Sequence, residues 1–160
     1  MRKSIAAIVV FAFMVPMLLA SAQQASATAP ILTISDTVSA TADTSCVTVS
    51  NKVTRCSFVS HQEWAGDWNG RAVLTGDWVL HGEQVSRVTA HGTMTFEGTI
   101  LGRSGTVTMN GVTVWWPTGE IDEGAIHSGT GDLAGIRGHF EFPKGFSNPT
   151  ARIYIWVHFE

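Results

Sequence analysis

Basic side chains are scarce in this sequence, and that scarcity removes one class of partner. Ten Lys+Arg stand against thirteen Asp+Glu in 160 residues. A nucleic-acid binder needs a basic stripe to displace phosphate counterions, and none is present. Cysteine is scarcer still: Cys46 and Cys56 are the only two. Their nine intervening residues fit neither a dithiol redox motif nor a zinc pair. The six histidines, at 61, 81, 91, 127, 139 and 158, form no recognised ligand pair, so no metal is expected. No serine sits in a nucleophile-elbow sequence, so no catalytic set can be assigned and a hydrolase is disfavoured. No cofactor is expected either. Gly129-x-Gly131-x-x-x-Gly135 departs from the dinucleotide fingerprint, and a strand pattern follows it where a helix is required.

Only one long apolar run exists. Arg2 and Lys3 precede Ile5–Leu19, broken once by Pro16, and small residues follow at Ala20-Ser21-Ala22 and Ala25-Ser26-Ala27. This is the layout of a secretory signal, and about 15 apolar residues fall short of the roughly 20 that a spanning helix needs. Residues 1–22 are therefore expected to be removed on export to the periplasm or medium, with cutting after Ala27 as the alternative. No membrane span remains after cleavage. What is left carries eight basic and thirteen acidic residues, a formal charge of −5, and is long enough for one core only.

An oxidising compartment lets the two cysteines pair. With Ser50, Asn51 and Lys52 as a three-residue hairpin loop, Val49 faces Val53 and the register runs back to set Cys46 opposite Cys56. A disulfide is expected there.

Helical periodicity is missing from the rest of the chain. Residues 23–44 are rich in Ala, Ser and Thr, with one apolar cluster at Ile31, Leu32 and Ile34, and read as a flexible arm or an edge strand. Beyond them, period-two alternation marks strands at Ser45–Val49, Val53–Glu63, Arg71–His81, Thr93–Ile100, Thr106–Trp116, Glu120–Ser128, Arg137–Phe142 and Ala151–Glu160. A turn is expected at Gly102-Arg103-Ser104-Gly105 and a bulge at Gly111, after which the apolar positions move to Val112, Val114 and Trp116. About eight strands at hairpin spacing predict an all-β domain over residues 45–160, a single antiparallel closed barrel or a sandwich, with closure favoured because it leaves no edge exposed.

Two stretches carry a family resemblance: Gly92-Thr93-Met94-Thr95-Phe96-Glu97-Gly98-Thr99 leading into Gly102-Arg103-Ser104-Gly105-Thr106-Val107, and Ser128-Gly129-Thr130-Gly131-Asp132-Leu133-Ala134-Gly135-Ile136-Arg137-Gly138. From Trp64 onward the chain resembles the allene oxide cyclase and dirigent-like barrels, especially their bacterial relatives. The resemblance implies an eight-stranded barrel with an apolar interior, in a family that binds hydrophobic small molecules and guides cyclisation or coupling without a cofactor. No catalytic position of that family maps onto a residue here. The second stretch reads from its glycines as a strained corner at Gly131 or Gly135.

A closed sheet must turn one face inward, and the consistent apolar faces are Leu74, Trp78, Met94, Phe96, Met109, Phe140, Phe142, Ile153 and Ile155. Gly76, Gly98, Gly111 and Gly138 subtract volume from those faces, so these nine residues are expected to line a pocket for a small hydrophobic molecule. Among carboxylates, Asp77, Glu97 and Glu141 lie on strands but share faces with polar groups and are expected outside. Trp68, in Asp67-Trp68-Asn69-Gly70, reads as an exposed turn residue. Two alternatives stay open beside ligand binding. One is a cofactor-independent isomerase or cyclase, favoured by a carboxylate or tyrosine inside an apolar cavity. The other is a glycan or cell-surface module, favoured by a filled barrel with coplanar exposed tryptophans. Ligand identity and oligomeric state are not encoded in any recognisable pattern.

Overall fold

The computed structural model describes residues 28–142 and 152–160. Eight antiparallel strands form one ring: β1 Ile31–Ser50, β2 Val53–Gly66, β3 Trp68–His81, β4 Arg87–Ile100, β5 Arg103–Trp116, β6 Gly119–Gly129, β7 Ile136–Glu141 and β8 Arg152–Phe159. Each strand pairs with the next and β8 returns to β1, so the sheet closes on itself. A single 3-10 turn, Gly131–Leu133, is the only other regular element among the described residues. The expected signal segment, residues 1–22, lies outside the described residues.

Alternation decides which side chains enter the ring. On β2, Cys56, Phe58, Ser60, Gln62 and Trp64 are buried while their neighbours face solvent. On β4, Ala90, Met94, Phe96 and Ile100 do the same, with Thr93, Thr95 and Glu97 outside. The one-in, one-out pattern is the direct consequence of the pleat.

Four expectations about chain layout are corrected. The segment 23–44 is not an arm along its length, because β1 begins at Ile31, ahead of the expected domain start at residue 45. The alternation there is inverted in chemistry: Thr33, Ser35 and Thr37 are buried, while Ile31, Leu32 and Ile34 are exposed. The first hairpin turns at Asn51-Lys52, with Ser50 opposite Val53 and a register shift between Thr48 and Ser50. That shift absorbs one residue, and Cys46 still arrives opposite Cys56. The turn after β4 is the two-residue Leu101-Gly102, both at positive φ (50° and 79°), the hairpin geometry that matches strand twist. No bulge interrupts β5 at Gly111, which pairs cleanly with Gly92 and Gly124; the irregularity falls between Thr108 and Met109. Val112 is consequently outside, not inside.

The corner after β6 is as glycine-dependent as its sequence implies. Gly131 has φ +62° and Gly135 φ +79°, and Thr130 Oγ1 lies 2.6 Å from Thr106 Oγ1, tying the corner to β5.

Candidate functional site

The two ends of the ring are built differently. One end is filled. Trp68 enters at the start of β3 and is fully buried, with ring contacts to Trp64 at 5.9 Å and to Phe96 at 5.0 Å. Its indole nitrogen donates to Thr33 Oγ1 at 3.0 Å, and its backbone N–H donates to Ser35 Oγ at 2.8 Å. These bonds explain both the buried hydroxyls of β1 and the failure of the turn reading for Trp68. Ile100, Val107, Leu133, Ile136, Ile153 and Val157, all fully buried, complete the plug.

The other end holds a half-open cavity of about 590 Å³. Its walls are apolar over most of their extent: Phe58 from β2, Leu74, Trp78 and Leu80 from β3, Val88, Ala90 and Met94 from β4, Trp115 from β5, and Phe140 and Phe142 at and just beyond the end of β7. The space exists because four successive strands place glycine at one level. Gly76 pairs with Gly92, Gly92 with Gly111, and Gly111 with Gly124. No side chain enters the ring from that row, and the Leu74 Cδ1 methyl and Phe140 ring lean over it.

Of the nine residues that sequence alternation placed in a pocket, Leu74, Trp78, Met94, Phe140 and Phe142 line this cavity. Phe96, Met109, Ile153 and Ile155 are fully buried in the core cluster and are not among the residues lining it. Trp78 stacks on Phe58 with ring centroids 5.0 Å apart, and its indole nitrogen is buried without a hydrogen-bond partner among the described residues.

Polar groups occupy two opposite walls. On β2, Ser60 and Gln62 are buried and line the cavity, with Thr37 of β1 beside them. Trp64 Nε1 donates to Gln62 Oε1 at 2.9 Å, and Gln62 Nε2 lies 3.5 Å from Ser60 Oγ. Across the ring, β6 contributes Glu120 and Asp122, of which Asp122 is buried, while Glu123 between that residue and Gly124 faces outward. Sequence reasoning passed over Ser60, Gln62 and Asp122 because it sought apolar faces. The signal for Asp122 was its parity with Gly124 and Ile126, masked by the apolar Ile121, which is 51% exposed. Asp77, Glu97 and Glu141 are outside, as expected. Trp64 and Trp68 are buried and Trp78 and Trp115 line the cavity, so these four form no exposed stacking platform. Among the described residues no cluster of His, Cys, Asp or Glu has the arrangement to hold a metal ion.

On the outside, over the glycine row, runs a shallow furrow of about 890 Å³ lined by Asp77, His91, Asn110, Glu123, His139 and Glu141 among others. It is larger than the interior space but open to water along its length, so its polar side chains are already solvated. The interior cavity is the better ligand site because it is concave and apolar with few polar groups.

The profile of the family described as "Protein of unknown function (DUF3224)" matches residues 33–151. A solved protein of unknown function from the DUF3224 family, from Shewanella oneidensis MR-1, is similar in fold with a TM-score of 0.62 at 13% identity, covering 82% of this chain and 98% of that one. Among curated proteins none matches the chain. These likenesses carry a family and an all-β ring; they lend no support to the narrower resemblance to allene oxide cyclases and dirigent-like barrels.

Proposed function

The chain belongs to the DUF3224 family, and for this member we propose an exported protein that holds one small hydrophobic molecule inside its ring of strands. The observation that carries the reading is the 590 Å³ cavity with its apolar walls. Pockets of roughly 300–1,000 Å³ with few polar groups are the usual size and character for small-molecule sites. Export is supported by the signal layout of residues 1–22 and by the Cys46–Cys56 disulfide, whose Cα atoms are 4.0 Å apart, since such bonds persist in oxidising compartments.

Nile red, whose fluorescence rises in apolar surroundings, tests the reading. Folded protein is expected to bind it with defined stoichiometry, and Ala90→Phe, which places a ring in the cavity, to abolish binding while the circular dichroism spectrum is retained. Binding unchanged in that variant, or absent from the parent, defeats the proposal.

Asp122 favours a second reading, the cofactor-independent isomerase or cyclase. A buried carboxylate facing an apolar cavity is positioned for proton transfer to or from carbon. Small molecules retained by natively purified protein should then take up deuterium at a carbon when incubated in heavy water, and Asp122→Asn should stop the exchange. Retention without exchange leaves binding alone.

A further inference from the structure

Resting on the cavity reading, the structure also says what polar group the bound molecule carries. The Trp64 indole can only donate, so its 2.9 Å bond to Gln62 Oε1 fixes the orientation of that amide. The NH2 group is thereby turned toward Ser60, and Ser60 Oγ is the acceptor at 3.5 Å. A hydroxyl that accepts from an amide keeps its own proton to give. Among the described residues neither the Ser60 hydroxyl proton nor the second N–H of Gln62 has an acceptor. Both residues line the cavity and both are nearly inaccessible, at 4% and 5%. This stretch of the β2 wall therefore presents donors to a largely apolar, half-open space.

The opposite wall limits what those donors can meet. In a ring of eight, β6 stands four strands from β2 in either direction, and it brings Glu120 and the buried Asp122 to the cavity. Among the described residues no Lys or Arg lines the space. Burying the charge of a fatty carboxylate among mostly apolar walls, with no Lys or Arg of the described residues beside it, costs more than neutral donors return. We infer that the cavity takes an uncharged apolar molecule bearing a carbonyl oxygen, seated on the Gln62 amide and the Ser60 hydroxyl.

Displacement of Nile red by three matched bicyclic compounds tests this: decalin, decalone and decalin carboxylate at neutral pH. Decalone is expected to compete at about tenfold lower concentration than decalin, the ratio that one hydrogen bond in a dry site sustains, and the carboxylate to compete worst. In Ser60→Ala the decalone advantage should shrink, and in Gln62→Glu it should vanish, because a carboxylate accepts from Trp64 equally well but offers no donor. Decalin should displace the dye alike from parent and both variants. If Gln62→Glu does not fold, Ser60→Ala carries the comparison alone. Equal competition by decalin and decalone in the parent overturns the carbonyl inference and leaves the apolar site standing. A protein that does not bind Nile red at all overturns both.

Discussion

Truncating Trp68 and Trp78 in turn measures how unlike the two ends of the ring are. Trp68 is fully buried between Trp64 and Phe96, so Trp68→Ala leaves a void that its neighbours cannot collapse to fill. Buried aromatic truncations of this kind cost about 3–5 kcal/mol, and the loss of the donor to Thr33 Oγ1 places this one toward the upper part of that range. Trp78 meets Phe58 on one side and the cavity on the other. A ring facing empty space has fewer contacts to lose, and its unpartnered indole nitrogen leaves no acceptor orphaned when it goes. Trp78→Ala should therefore cost roughly 2 kcal/mol less than Trp68→Ala. With a urea slope of about 1–3 kcal/mol/M, the two midpoints should differ by about 1 M. Circular dichroism is the suitable signal, since tryptophan fluorescence changes with the substitutions themselves. Equal losses at the two positions would mean that the cavity end is packed as tightly as the plug, and the argument for an interior ligand site would fall.

Three further outcomes follow from single features. Intact mass of exported protein should show loss of the N-terminal segment and two fewer hydrogens than the dithiol, and reducing Cys46–Cys56 should cost roughly 2.5–3 kcal/mol on the chain-entropy estimate. At the corner, Gly131→Val and Gly135→Val should each cost more than about 1 kcal/mol in denaturant melts, because φ is +62° and +79° and an added Cβ at Gly135 would sit 2.8 Å from the Glu160 carbonyl; melts matching the parent would refute the strained corner. The hydrogen bond from Arg152 holds the Asp36 carboxyl below its ordinary value of 3.8. A lowered folded pKa contributes stability above the unfolded pKa that is lost as pH falls through the folded one, so Asp36→Asn should be less stable than the parent at neutral pH and the difference should close as pH falls through that acid window; a difference that keeps its full size below the window would assign the effect to something other than titration.

The strand content was legible in the chain because most faces keep their chemistry. Thr93–Ile100 alternates throughout, and Arg71–Asp77 alternates in burial even with Val73 on its outer face; β4 and β3 contain them. The cysteine register survived an error in the turn, since a two-residue loop with one shifted residue places Cys46 where a three-residue loop would. Legibility failed where polar residues take the inside. Thr33 and Ser35 are buried because their hydroxyls accept from Trp68, bond its carbonyl or reach Ile155 O, and hydrophobic periodicity cannot register a face whose burial is secured by hydrogen bonds. The same blindness put Trp68 in a turn, because its partners are polar and lie 33 and 35 residues earlier in the chain.

The site followed the same division for a physical reason. Alternation names every inward residue but not the level at which each sits, and the level decides between plug and cavity. Phe96 and Leu74 are both inward, yet Phe96 stands against Trp68 and Leu74 beside the Gly92 backbone. Level is set by register across strands, which a single strand's sequence does not contain. What the chain does contain is the glycines themselves, and once Gly76, Gly92, Gly111 and Gly124 are in register four separate gaps become one. A filled ring would need large residues somewhere along that row, and every glycine in it accepts the entropic penalty of an unsupported strand position. Carrying that penalty at four adjacent strands, while a buried amide and hydroxyl face the resulting space, is what the proposed interior ligand site requires and what a filled core would have no use for.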